Sequence, residues 1–129
     1  MSKLSADLIR LIDEANTAHL ATLLPDGAPH SVPMWIGRDG DRLAFLTSPG
    51  SRKARNLDRD PRVAISLTNR DKPNDMAYLR GRVAERVEGD RAWQIIDAMA
   101  DKYIGMPYPL REDRIVYLVD VEHAGALSF

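Results

Sequence analysis

Cysteine is absent from the chain, which removes disulfides, thiolate nucleophiles and cysteine-based metal sites from consideration and points to a cytoplasmic protein. Strong net charge is absent too. The 18 Lys and Arg residues stand against 19 Asp and Glu, for a formal charge of -1, so there is no global electrostatic footprint for nucleic acid or an anionic membrane surface. No apolar run approaches the roughly 18 residues of a membrane span, and the start Met1-Ser-Lys-Leu-Ser5 leads into a polar amphipathic pattern rather than an apolar signal region. The expected protein is soluble and unprocessed. Repeats, linkers and low-complexity tracts are missing, and 129 residues suit a single domain over 1–129. No Ser–His–Asp arrangement declares itself and the carboxylates are scattered among turns and helix faces, so no catalytic residue is assigned.

What the chain does have is one dense basic segment, Leu46-Thr-Ser-Pro-Gly-Ser-Arg-Lys-Ala-Arg-Asn-Leu57. It reads as a strand ending in hydroxyls, a turn and a helix start. The N-terminus of a helix presents unpaired N–H groups and a partial positive charge, which together favour an anion. Thr47, Ser48 and Ser51 add hydroxyl donors, and Arg52, Lys53 and Arg55 add charge within about one helical turn. The implied ligand carries a phosphate. A solvated basic helix between two strands is the plain alternative.

Around this segment the pattern is mostly β. Leu4, Leu8, Leu11 and Ile12 recur at helical spacing, so residues 5–15 are expected to open the chain as a helix that Ser5 can cap. Strands are expected at 19–24 and 29–36 around Pro25-Asp-Gly27, at 42–47 after a turn over 37–41, at 62–68, at 76–87 and at 114–121, with a weaker tail to Phe129. Pro33 places its strand at a sheet edge or a bulge, because proline cannot donate to a ladder, and leaves backbone groups nearby for a ligand. The run 76–87 is too long for one flat strand, so Gly81 marks a bend or bulge. A second long helix over 91–103 follows, with Asp90 as its N-cap and Trp93, Ile96, Met99, Ala100 and Tyr103 on one face. The expected fold is mainly β, a six- or seven-stranded antiparallel barrel with flanking helices.

Other residues carry two readings. His19, His30 and His123 show no ligand spacing and read as ordinary strand or turn histidines, so no metal site is assigned. Trp35 is either core or pocket wall. Trp93 and Met99 read as core or subunit contacts. The segment Met106-Pro-Tyr-Pro109 is a lid over a substrate site or a connecting loop. Tyr78, Tyr103 and Tyr108 stand unranked as proton donors, with solvent as an alternative.

Leu20-Ala-Thr-Leu, Asp26-Gly-Ala-Pro-His-Ser-Val-Pro-Met-Trp35, Leu46-Thr-Ser, Arg52-Lys-Ala-Arg-Asn-Leu57 and Asp60-Pro-Arg-Val-Ala64, in that order and over almost the whole chain, resemble the pyridoxamine 5′-phosphate oxidase-like split-barrel flavoproteins. Within them the chain is most similar to the short branch that uses the deazaflavin coenzyme F-420. The resemblance implies an FMN-binding-type, six-stranded antiparallel split β-barrel. It also implies a homodimer with two cofactors in grooves at the subunit interface, acting on a small molecule without nucleic acid or membrane. By carry-over, Ser51, Arg52, Lys53 and Asn56 hold the cofactor phosphate, and Leu46, Thr47 and Ser48 at the strand end meet the phosphate or ribityl chain. Val32, Pro33, Met34 and Trp35 lie along the tricyclic ring. Arg55 and Arg59 are candidates for the anionic tail that distinguishes the deazaflavin from flavin mononucleotide (FMN). The implied activity is hydride transfer from reduced coenzyme F-420 to an enone- or quinone-like acceptor, with the cofactor supplying the reactive atom. An FMN-dependent enzyme of the same fold, and a non-catalytic flavin-, haem- or tetrapyrrole-binding protein, are the two rivals. The chain ends without the Arg- and Trp-rich segment of the vitamin B6 oxidases, which argues against pyridoxamine phosphate oxidation.

Overall fold

A computed structural model describes residues 4–129 of the chain; Met1, Ser2 and Lys3, read above as part of a polar start, lie outside the described residues. Helix α1 spans Ala6–Asp13, shorter than the 5–15 expected, and Ser5 Oγ accepts from Leu8 N–H at 3.3 Å. Its apolar face, Leu8, Leu11 and Ile12, is buried. Strands β1 (Ala18–Leu23) and β2 (Pro29–Met34) form the expected hairpin, with Thr22 opposite His30 and His19 opposite Pro33.

The presumed turn over 37–41 is narrower, because Gly37–Asp39 forms a short strand, β3, against β4 (Arg42–Thr47). After helix α2 (Arg52–Arg59) and strand β5 (Arg62–Thr68), the sheet continues into β6 (Asp75–Val87). Helix α3 covers Gly89–Ile104, with Glu88 at its cap position making no side-chain cap bond. Asp90 is therefore in the first turn rather than at the cap, where its carboxylate faces the positive helix end. Gly105 closes α3 in the left-handed region at φ 68°, and its N–H donates to Asp101 O at 2.9 Å. The weak tail also belongs to the sheet: β7 runs Ile115–Ser128 and pairs with β6 as far as Asp75.

The described strands form one antiparallel sheet in the order β2-β1-β5-β6-β7-β4-β3, curled into a split barrel with three flanking helices. As Pro33 required, β2 is an edge strand. The pairing of β6 with β7 shifts register at Arg80/Gly81 and again at Val83/Glu85, and these bulges let one long ribbon coil. A Cβ on Gly81 would meet Asp120 O at 2.0 Å, so the backbones approach where only glycine fits.

Two apolar layers share β4 and β7. Leu43, Phe45, Ile115, Tyr117 and Val119 point into the barrel with Leu20, Ile65 and Leu79. Ala44, Val116 and Leu118, on the reverse face, pack under Ala92, Ile96 and Met99 of α3. Each such large side chain contributes about 1.5–3 kcal/mol of transfer free energy when fully buried.

The last turn of α3 ties three segments together. Lys102 Nζ donates to Ile12 O at 2.7 Å and also to Ile36 O. Tyr103 Oη accepts from Ile36 N–H at 3.0 Å and donates to Asn16 O at 2.5 Å. Asn16, itself buried, donates to Leu11 O and accepts from Arg70 N–H. Polar backbone groups at the end of α1 and just beyond β2 thus find partners away from water. Burial lowers the Lys102 ammonium to about 8 from the ordinary 10.5.

Gly81→Ala should cost about 3 kcal/mol, at the upper end of overpacking effects, because the colliding atom is backbone; chemical denaturation checks this. Lys102 also gives stability a sign against pH. Between about pH 8 and 10.5 the unfolded chain keeps the lysine proton while the folded chain releases it, so stability attributable to this group rises with pH. Urea midpoints of the wild type minus those of Lys102→Met should therefore grow from pH 7.5 to 9.5. A difference that stays flat would mean that Lys102 titrates as an ordinary lysine.

Candidate functional site

The site grows from the junction of β4 and α2. Strand β4 ends at the buried Thr47, and Ser48-Pro-Gly50 turns the chain, closed by Ser51 N–H donating to Ser48 O at 3.1 Å. Ser51 is the N-cap of α2: its Oγ accepts from Ala54 N–H at 3.1 Å and lies 2.8 Å from Thr47 Oγ1. The first turn of α2 contains no acidic residue, while Arg52, Lys53 and Arg55 stand there. Among the described residues none of these three side chains makes an ion pair or a hydrogen bond. Cations are disfavoured at the positive end of a helix, and Lys53 is also half-buried, which lowers its pKa by desolvation. An anion placed here would relieve both costs.

The helix itself is firmly seated. Tyr117 Oη, inside the barrel, donates to Asp58 Oδ1 at 3.0 Å, and Arg86 pairs with the same carboxylate at 3.0 Å. Burial, and the hydrogen bond to Asp58, push the Tyr117 hydroxyl up to about 12. Arg59 donates to Leu23 O, which commits it to the body of the protein. Asn56 faces inward as well: it is fully buried, and its Nδ2 donates to Thr22 Oγ1 at 3.0 Å. Among the described residues, Asn56 Oδ1 and His30 Nδ1 are buried without a hydrogen-bond partner, both beside Thr22. The geometry thus joins Ser51 to Thr47 at the start of α2, places Lys53 half-buried in the first turn, leaves Arg52 and Arg55 on the open face, and turns Asn56 into the barrel.

Between α2 and the edge strand lies a cavity of about 230 Å³ lined by Pro33, Met34, Trp35, Leu46, Lys53 and Tyr108. Val32 is not in its lining; it is half-buried and pairs with Leu20. Trp35 stacks on Tyr103 at 5.0 Å with planes 3° apart, and meets Tyr108 edge-on at 5.9 Å. The indole is therefore both packed and part of the wall. Tyr108 reaches this wall because its N–H donates to Asp97 Oδ1 at 3.0 Å, while Arg111 holds the same carboxylate at 2.6 Å and lies over Trp93 at 4.1 Å. The Arg111 guanidinium keeps the Asp97 carboxyl below its usual range. Sequence reasoning named Tyr108 only as a proton-donor candidate and as part of a lid or loop. Its place beside Lys53, 55 positions earlier, depends on α3 crossing the sheet, and the Pro-Tyr-Pro pattern was the only local signal.

His19 and His123 are exposed on separate strands, His30 lies apart from the cavity lining, and the described residues contain no group of three or more His, Cys, Asp or Glu able to hold a metal. No helix among the described residues is long and apolar enough to cross a membrane.

Comparison with known proteins agrees with the fold. No curated protein matches the sequence significantly. Among solved structures, the chain is similar to an F420 reductase at 29% identity and a TM-score of 0.79, covering 90% of this chain and 94% of the other. A conserved hypothetical protein from Mycobacterium tuberculosis is 26% identical with a TM-score of 0.76, covering 98% and 90%. A heme binding protein from Mycobacterium smegmatis is 25% identical with a TM-score of 0.72, covering 98% of this chain and 55% of that one. The family profile described as pyridoxamine 5′-phosphate oxidase matches residues 5–127, and on that near-complete match the chain belongs to this family of split barrels.

Proposed function

We propose that the protein is an oxidoreductase that binds reduced coenzyme F-420 and delivers hydride to an unsaturated small molecule of enone or quinone type. The observation that carries this reading is Lys53, a half-buried cation unpaired among the described residues, at a helix N-terminus, that also lines an apolar and aromatic cavity. A planar ring bearing a phosphate chain matches that pairing of surfaces. The bound cofactor supplies the hydride. The chain's own residues do the rest. Lys53, the N–H groups at the start of α2 and the Ser51 and Thr47 hydroxyls hold the phosphate. Pro33, Met34 and Trp35 orient the ring along the free edge of β2, and Leu46 with the aromatic wall excludes water.

The single-chain cavity, about 230 Å³, is smaller than the roughly 300–1,000 Å³ usual for small-molecule sites. A second copy completing the groove is the expected arrangement, so we assign a homodimer. Arg52 and Arg55, exposed and unpaired among the described residues, suit the longer anionic tail of the deazaflavin and favour it over FMN. The likeness to a heme binding protein keeps a carrier role as the second reading, distinguished by turnover.

Titration of the purified protein followed by fluorescence should give tight binding of coenzyme F-420 and weaker binding of FMN. In Arg52→Ala/Lys53→Ala, with about 1.5–3 kcal/mol lost per charge-assisted contact, affinity should fall at least tenfold; unchanged affinity would remove α2 from the site. The same Lys53→Ala change should leave the unliganded protein as stable as the wild type or slightly more so, since a desolvated cation without a counter-charge is lost. Thermal melts without ligand check this.

A further inference from the structure

Only two of the six side chains lining the cavity, Lys53 and Tyr108, carry an ionisable proton. Lys53 belongs to the anion subsite. The other two tyrosines considered above are elsewhere or occupied. Tyr103 Oη is held between Ile36 N–H and Asn16 O at 3.0 and 2.5 Å, and Tyr78 lies on β6 over Gly125, outside the cavity lining. Tyr108 is fixed at every point except its hydroxyl. Its N–H is bonded to Asp97, its ring is set against Trp35 and Trp93 at 5.9 and 6.5 Å, and the Arg114 guanidinium lies 5.8 Å from the ring centre. The hydroxyl makes no hydrogen bond among the described residues. A phenol anchored through its N–H and ring, lining the cavity and with its O–H unpaired among the described residues, is free to bond a bound molecule.

We propose that Tyr108 is the proton donor to the acceptor, an inference that rests on the oxidoreductase reading above. When hydride from the reduced cofactor forms a C–H bond at the β-carbon of an enone, the C=C π pair moves toward the carbonyl and leaves an enolate. The Tyr108 Oη–H bond then breaks as the proton joins the enolate oxygen, the resulting enol tautomerises in water to the ketone, and the tyrosinate regains a proton from water. The product is the saturated ketone, the acceptor has gained two electrons and two hydrogens, and the cofactor has lost one hydride. Before transfer, the same O–H bonded to the carbonyl oxygen polarises the double bond.

Tyr108→Phe keeps the ring and its packing, so it isolates the hydroxyl. With coenzyme F-420, its Kd by fluorescence titration should stay within about threefold of the wild type. With reduced cofactor, the turnover number for cyclohex-2-en-1-one should fall by about 10²–10⁴, the usual contribution of a positioned acid. Reduction of 1,4-benzoquinone, whose hydroquinone anion needs no proton during hydride transfer, should fall much less. Independently of turnover, binding of 4-nitrophenolate to the cofactor-loaded protein, followed by its absorbance, should weaken at least tenfold, as expected for a lost hydrogen bond to an oxyanion. Equal losses with both acceptors, or wild-type behaviour with the enone, would overturn the assignment to Tyr108 while leaving the oxidoreductase reading standing. A wild-type protein that binds coenzyme F-420 and reduces neither acceptor would overturn that reading and the proton-donor role with it.

Discussion

The site depends on how the backbone is satisfied where it leaves the edge strand. Beyond Met34 the β1–β2 ladder stops, and Ile36 is buried with an N–H and a C=O that water cannot reach. Tyr103 supplies the acceptor for the first and Lys102 a donor for the second. Because an unmet buried polar group costs on the order of 1–3 kcal/mol, this pair of contacts fixes where α3 ends relative to β2. The stacking of Trp35 on Tyr103 follows, and with it the position of the cavity wall. The helix that contributes most to the outer core layer is thus also the one that sets the geometry of the pocket.

On the far side, α2 is anchored by different means. Its inward face combines Ala54 and Leu57 with Asn56 against Thr22, and Asp58 joins Tyr117 to Arg86. That leaves its opening turn rich in cations and poor in partners among the described residues, with Lys53 at the cavity and Arg52 and Arg55 on the open face. Rigid attachment at one end and electrostatic tension at the other are what a preformed anion site requires, since the charges cannot relax toward carboxylates of their own.

Much of this was legible in the residues. The Ser5 cap, the edge placement of β2, the Pro-Asp-Gly hairpin and the Gly81 irregularity each follow from a local rule about donors, turns or sterics. What escaped was decided at a distance. The tail after Val121 contains no further β-branched residue, yet it extends β7 because β6 offers an unpaired partner, and tertiary pairing outweighs propensity. Asp90 looked like a cap by residue type, but the chain enters α3 earlier. Asn56 shares helical spacing with Arg52, and only the docking of α2 reveals that it turns inward. Tyr108 joins the wall because a helix carries it across the sheet, something no local pattern encodes.

The edge strand β2 also bears on uncontrolled strand pairing between molecules. Pro29, Ser31 and Pro33 have the same strand parity, and with the alternate residues hydrogen-bonded to β1, these three point off the free edge. Two of the three cannot donate. A foreign strand approaching this edge would find a single N–H, at Ser31, among carbonyls, which is a poor template for continuing the sheet. The two prolines therefore guard the barrel against fibre-like, edge-to-edge growth. A mutation restoring an N–H at either proline would put solubility at risk before it altered the fold.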